Sequence, residues 1–235
     1  MARMLVTLDG RSADGGCPLL MHNERLADPL DPFALAIGKI SKKRGKTEAD
    51  HLEVALLEFV GGLYHDGADE WLKASGQAVE DVPFIKDAES DPSLGPYIPT
   101  WHVIRAIQNA GKQHKLGAAV LRGITPVGSG KAALEYDGPR EIDELWRAGT
   151  FALRKSVGVG SSRVMRTRAL FTDWRLEVEI EIDLNVLDAP KINQLAAEAG
   201  RYQGIGDYRP VYGRFTGSAK LVSAKAAKAA AGQEA

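Results

Sequence analysis

Hydrophobic and polar positions alternate most regularly from Arg175 to Asp183, where Leu176, Val178, Ile180 and Ile182 interleave with Glu177, Glu179 and Glu181. A period of two sorts the aliphatic set onto one face of a strand and the carboxylates onto the other, which predicts a strand with one buried and one solvated face. Met4 to Leu8 predicts a shorter, largely apolar strand that stops at Asp9-Gly10. The period changes at Thr47. With Asp50 three residues on it forms a capping box, and Leu52, Leu56, Phe59 and Leu63 follow at helical spacing, with the helix ending near Gly61-Gly62.

A second helix is predicted from Pro99-Thr100 to Ala110, with Ile104 and Ile107 inward and Gly111 as its C′ residue. A third runs from Pro190 to Ala199 and turns Ile192, Leu195, Ala196 and Ala199 to one side, and a short helix is read over Arg140 to Arg147. Ala118 to Ile124, Ala132 to Tyr136 and Val211 to Phe215 read as strands, and Cys17 to Pro32 as an apolar patch (Leu19, Leu20, Met21) followed by a loop over the end of a sheet. Residues 65 to 98 hold 8 acidic side chains against Lys73 and Lys86 with no sustained period, which reads as an acidic insertion with a short helix near Glu70 to Ala74. The Ala/Lys-rich end, 218 to 235, has helix propensity without an apolar face and reads as a mobile tail. No internal repeat is visible.

With 235 residues, 44 % hydrophobic and 26 % charged, the chain matches ordinary globular composition and suits a single domain over residues 1 to 217. Cys17 is the sole cysteine, so no internal disulfide forms. The N-terminal apolar run is too short for a signal peptide and no stretch approaches the roughly 20 apolar residues of a membrane span, so a cytoplasmic location is expected with no membrane partner.

The net charge of −1 conceals an uneven spread. Residues 1 to 100 carry 10 Lys and Arg against 17 Asp and Glu, whereas residues 101 to 175 carry 13 against 6. Local charge sets the field a ligand meets, so the basic segment is where a polyanion is expected. Within it, Arg154 to Arg168 places Arg154, Lys155, Arg163, Arg166 and Arg168 in fifteen residues with no acid among them. Two glycines and two serines near the middle (Gly158, Gly160, Ser161, Ser162) suit the tip of a β-hairpin over residues 151 to 172. There Met165 or Val164 is suited to wedge between bases while the arginines meet phosphates. A second candidate is Gly200 to Phe215, in which glycines allow close backbone approach and Arg201, Arg209 and Arg214 accompany Tyr202, Tyr208 and Tyr212.

Other patterns do not carry chemistry. Gly128-Ser129-Gly130-Lys131 fails as a nucleotide loop because position 125 is Thr and Ala132 stands where Ser or Thr would hold magnesium. The five histidines show no metal-ligand spacing, so neither a metal nor a cofactor is expected. Asp28 and Asp31 suit turn formation beside Pro29 and Pro32 better than acid-base work.

Three pieces in order resemble the RAMP superfamily, the repeat-associated proteins that include the backbone subunits of CRISPR effector complexes. Cys17-Pro18-Leu19-Leu20-Met21-His22-Asn23 is similar to the apolar segment after their first strand. Tyr97-Ile98-Pro99-Thr100-Trp101-His102-Val103-Ile104-Arg105-Ala106 is similar to their isoleucine-proline signature, which opens a helix near the RNA backbone. Gly204 to Phe215 is similar to their glycine-rich loop, closing with Gly213-Arg214-Phe215, and the basic hairpin stands where the family has its thumb. Trp101-His102 departs from the small residues usual at that place.

The resemblance implies an α+β, ferredoxin-like (RNA-recognition-type) antiparallel sheet backed by helices, with a projecting basic hairpin. It implies binding of single-stranded RNA or DNA, RNA favoured, with copies stacked along the strand; the lack of an acid-base pair or metal cluster predicts no catalytic residues, and the net −7 of residues 1 to 100 against the net +7 of residues 101 to 175 predicts head-to-tail assembly. Arg105, Arg154, Lys155, Arg163, Met165, Arg166, Arg168, Arg201, Arg209 and Arg214 are the expected contacts. The alternatives are an endoribonuclease of the same superfamily using Asp28, Asp31 or His22, and a structural protein of a phage or other mobile element.

Overall fold

The computed structural model describes residues 1–13, 16–76, 95–160 and 162–222. Along the chain run β1 (Ala2–Asp9), β2 (Leu19–Met21), a 3-10 turn (Glu24–Ala27), α1 (Pro32–Ser41), α2 (Glu48–Gly62), α3 (Ala68–Ala74), β3 (Tyr97–Pro99) and α4 (Thr100–Gln113). There follow α5 (Gly117–Gly123), β4 (Ile124–Pro126), β5 (Lys131–Ala133), β6 (Glu135–Tyr136), α6 (Ile142–Ala148), β7 (Ala152–Val159) and β8 (Ser162–Phe171). β9 (Trp174–Ile182), α7 (Ala189–Glu198), a π-helical turn (Ala199–Gln203) and β10 (Thr216–Leu221) complete the order. The architecture is α+β with antiparallel sheets. No helix among the described residues is long and apolar enough to cross a membrane.

Where the sequence suggests one domain, the chain forms two compact units, each built from separate stretches. The first comprises Met1–Leu19, Ile98–Glu135 and the chain from Thr172 onward, and the second Leu20–Tyr97 and Tyr136–Phe171.

The first unit is organised by a sheet of order β10-β1-β9-β4, with β6 also paired to β9. Val6 lies opposite Val178 and Leu8 opposite Leu176, so the inward residues of β1 and β9 meet as aliphatic pairs while Arg3, Thr7, Glu177, Glu179 and Glu181 take the other face. Arg3 pairs with Glu181 at 3.4 Å across that outer face. Trp174 is fully buried and its indole N–H donates to the Cys17 carbonyl at 2.7 Å. Gly10 makes room for it, since a Cβ there would lie 2.1 Å from the indole nitrogen. α7 packs on β10 and β1, and the Asn193 side chain accepts the Ala219 N–H at 2.9 Å at the sheet's outermost strand.

The second unit packs α1, α2, α3 and α6 with a small sheet of order β2-β8-β7. The second half of α2 is buried, and Gly61 admits Leu26 and Phe33, which a Cβ would meet at 2.8 and 2.9 Å. Phe59 lies 5.3 Å from Trp146 of α6, centroid to centroid. Tyr136, Phe151 and Phe171 form an aromatic cluster at the foot of β7 and β8, capped by the Arg140 guanidinium 4.1 Å over Tyr136.

Several expectations change. Ala118 to Ile124 is mostly helix, α5, because Val120 packs fully buried against Gly111 of α4, and a run rich in alanine follows that packing. Gly111 is therefore inside α4 rather than past its end, and the helix continues to Gln113. Val211 to Phe215 is a turn, since the Val211 and Tyr212 N–H groups both bond the Tyr208 carbonyl, and the last strand lies later, at β10. Residues 218 to 221, expected in the tail, belong to that strand, where Gly217 and Ala219 fit close under α7; the rest of the expected tail, 223 to 235, lies outside the described residues. Leu52 is exposed rather than inward, and Pro32, read as the end of a loop, begins helix α1, which Asp31 caps. The expected insertion 65 to 98 contains α3, while residues 77 to 94 lie outside the described set.

Candidate nucleic-acid interface

β7 and β8 pair antiparallel from Ala152↔Ala169 to Val159↔Ser162. Directly opposed residues share a face, so the register sorts the five cations. Lys155, Arg166 and Arg168 share one face with Leu153, Val157 and Val164; Arg154 and Arg163 share the other with Ser156, Met165 and Thr167. Arg154, Lys155, Arg163 and Met165 are exposed. β-branched and small residues keep the ladder regular without demanding burial, so the hairpin bears its charges on both sides.

The cations differ in their partners. The Arg166 guanidinium donates to Glu58 of α2 at 2.5 Å, and the other Glu58 oxygen accepts the Thr167 N–H at 2.8 Å. The Glu58 side chain is 6 % exposed and that of Arg166 41 %. Arg166 thus neutralises a buried carboxylate and ties α2 to the hairpin backbone before it meets any ligand. Arg163, by contrast, reaches the Ser156 hydroxyl at 3.5 Å and stands outward. Sequence reasoning missed Glu58; its signal is an acid inside the apolar run Leu56-Leu57-Glu58-Phe59-Val60.

In the first unit, Gly200 to Phe215 folds into a tight loop. A Cβ on Gly200 would lie 2.0 Å from the Phe215 carbonyl oxygen, and one on Gly213, at φ 73°, would lie 1.8 Å from the Ile205 oxygen. Only glycine satisfies both places. The Ile205 N–H bonds the Gly213 carbonyl, and the Gly213 N–H bonds the Pro18 carbonyl. Tyr208 holds φ 55°, a conformation rare for a bulky residue, which turns the chain back before Val211. Arg201 lies 6.0 Å over the Tyr202 ring, and the Arg214 N–H donates to the Cys17 sulfur at 3.2 Å. Arg201 and Arg209 are exposed and Arg214 half-buried.

Arg105 stands exposed on α4 and donates to the Gln108 side chain at 2.7 Å. One turn earlier, Trp101 leans edge-on against His102, with 4.0 Å between ring centroids. Burial, reinforced by the Arg209 guanidinium, pushes His102 down to about 4, so its ring is neutral at pH 7.

Of the residues considered for cleavage, Asp31 and Asp28 have structural tasks. Asp31 caps α1 by accepting the Phe33 N–H at 2.8 Å and pairs with Arg25, which also bridges to Asp69 of α3 at 2.7 Å. Asp28 accepts the Leu30 N–H at 2.9 Å, the turn geometry that its place beside Pro29 suggests. No group of His, Cys, Asp and Glu among the described residues has the arrangement of a metal site. No protein-family model and no curated protein matches the chain.

Proposed function

We propose that the protein binds single-stranded nucleic acid, RNA favoured, through phosphate contacts and base stacking with little sequence preference, assembling side by side along the strand and performing no chemistry on it. The observation that carries this reading is the β7–β8 hairpin: five cations and no acid on one two-stranded ladder, with Arg154, Lys155, Arg163 and Met165 exposed. Glu58 meets Arg166 from α2, and the exposed Arg154 and Arg163, which share the other face, concentrate a positive field that favours a polyanion. The strand order β10-β1-β9-β4, with α4 between β1 and β4 and α7 between β9 and β10, supports a ferredoxin-like plan and with it the kinship to RAMP proteins. The open face of that sheet is lined by Glu177, Glu179 and Glu181 and bears no aromatic ring from β1 or β9, which argues against the strand lying there. The uneven charge of the chain favours heterologous contacts between copies, which grow into filaments when they do not close.

The test is protein purified without nuclease, assayed for co-purifying strand by its absorbance ratio at 260 and 280 nm, then binding to labelled single-stranded RNA as salt is varied. Arg154→Ala with Arg163→Ala is expected to weaken binding and to flatten the log–log salt slope by roughly 0.7 for each phosphate no longer neutralised. Unchanged affinity and slope would refute the role of the hairpin.

A further inference from the structure

A groove in the first unit runs between α4 and the glycine-rich loop, lined by Asn109, Tyr202, Asp207, Tyr208, Arg209 and Pro210. Asn109 continues a stripe along α4: Trp101, Arg105 and Asn109 are spaced by four residues and so share one face of the helix. α4 packs against the π-helical turn that carries Arg201 and Tyr202, which sets the helix beside the start of the loop. Two exposed rings line this groove, Tyr202 at 55 % and Tyr208 at 41 %, and Trp101, 47 % exposed, stands on the same face of α4 about two turns before Asn109.

Leaving three aromatic side chains in water forgoes burial that the core uses elsewhere, as the fully buried Trp174 illustrates. Arg209 and Asp207 line the groove together with Asn109 of α4, and Arg105 stands exposed one turn before Asn109 on the same helix face. Cations beside open π-faces suit a ligand that is itself flat and aromatic and hangs from an anionic backbone. Paired bases hide their faces within a duplex, so only unpaired bases present them.

We infer that this groove and the face of α4 that leads to it form a nucleobase-stacking site for single strands, with the Tyr202 and Tyr208 rings and Trp101 as stacking faces and Arg105 and Arg209 meeting the flanking phosphates. It rests on the proposed nucleic-acid binding and adds to it a site that stacks bases without reading their identity, distinct from the phosphate contacts of the hairpin. Trp101 also supplies a reporter. Of the four tryptophans it alone is exposed, because Trp174 is buried and Trp71 and Trp146 are half-buried.

The experiment is fluorescence titration of the full chain with oligouridylate, with an RNA duplex of equal length and with heparin, in parallel with binding measured by anisotropy. Oligouridylate is expected to quench tryptophan emission, while duplex and heparin bind without quenching it. Trp101→Leu is expected to lower single-strand affinity by about tenfold with no change in salt slope, since the substitution removes a stacking face and leaves every phosphate neutralised as before. Trp101→Phe, which keeps a ring, is expected to restore most of the affinity while abolishing the quench. A Trp101→Leu affinity within about twofold of the parent, or equal quenching by heparin, overturns the stacking site and leaves hairpin binding intact. Absence of binding to all three polyanions overturns both.

Discussion

The hairpin and the groove are built from opposite materials. On β7 and β8 the cations are dense and the exposed large apolar side chain is Met165, whereas around the glycine-rich loop the exposed side chains include the Tyr202 and Tyr208 rings beside Arg201 and Arg209, with Pro210 and Val211. The hairpin needs only a regular ladder to space its charges, and any backbone with that register would do. The groove needs glycines at specified places, because its loop doubles back within van der Waals distance of itself. Charge presentation is therefore tolerant of sequence and ring presentation is not. The contrast implies that single substitutions damage the two regions in different ways.

The largest effect is expected from Gly213→Ala. Its Cβ would fall 1.8 Å from the Ile205 oxygen at φ 73°, so the loop must open, at a cost of about 3 kcal/mol or more in urea denaturation. The variant should lose Trp101 quenching by oligouridylate while the salt slope contributed by the hairpin persists. A destabilisation below about 1 kcal/mol would show that the loop is not the rigid part of the comparison.

Next in size is a difference within the hairpin. Arg166→Ala strands the buried Glu58 carboxylate and is expected to cost about 2 kcal/mol, discounted from fully buried pairs because the guanidinium is 41 % exposed. Arg163→Ala is expected to cost no more than about 0.5 kcal/mol. Equal destabilisation, read from the two denaturation midpoints, would mean that the Glu58 tie does not distinguish these arginines.

Smallest, taken per unit of pH, is the response to acid, and one histidine reports on each unit. His65, in the second, is held neutral chiefly by burial, with Nδ1 accepting the Gly67 N–H at 3.0 Å and Nε2 3.2 Å from the Arg140 carbonyl. His102, in the first, is pushed down to about 4. In both cases the unfolded chain takes up a proton near pH 6.5 while the folded chain resists it, so stability is full above that pH and falls as pH drops below it. Each group is expected to remove no more than about 1.4 kcal/mol per pH unit, and for His102 the decline continues to about pH 4. His65→Gln and His102→Gln should each flatten the stability curve between pH 6.5 and 5; curves that superpose on the parent would cancel this assignment.

What the sequence made legible followed the strength of local pattern. β9 was readable because its alternation spans nine residues, and α2 because Thr47 and Asp50 close a capping box that the structure contains. α5 was not, since its Ala-Ala-Val-Leu core suits strand or helix and Gly111 across from Val120 decides the matter. β10 was hidden for a similar reason: Thr216 to Leu221 has no apolar alternation of its own and becomes a strand through pairing with β1. Of the candidate site, the charge cluster was visible as composition. The partner of Arg166 was not, because Glu58 lies 108 residues away and only packing joins them.

The outermost strand of the first sheet has one further consequence. A bare strand edge is a template on which another polypeptide extends the sheet, and proteins that crowd together along a filament or at high local concentration are exposed to that hazard. Here α7 lies against β10 and Asn193 satisfies the Ala219 N–H, so this margin is sealed by the molecule's own amide at the point where a stranger's carbonyl would dock. A polypeptide that extended the sheet at this point would first have to displace the Asn193 amide from its backbone donor.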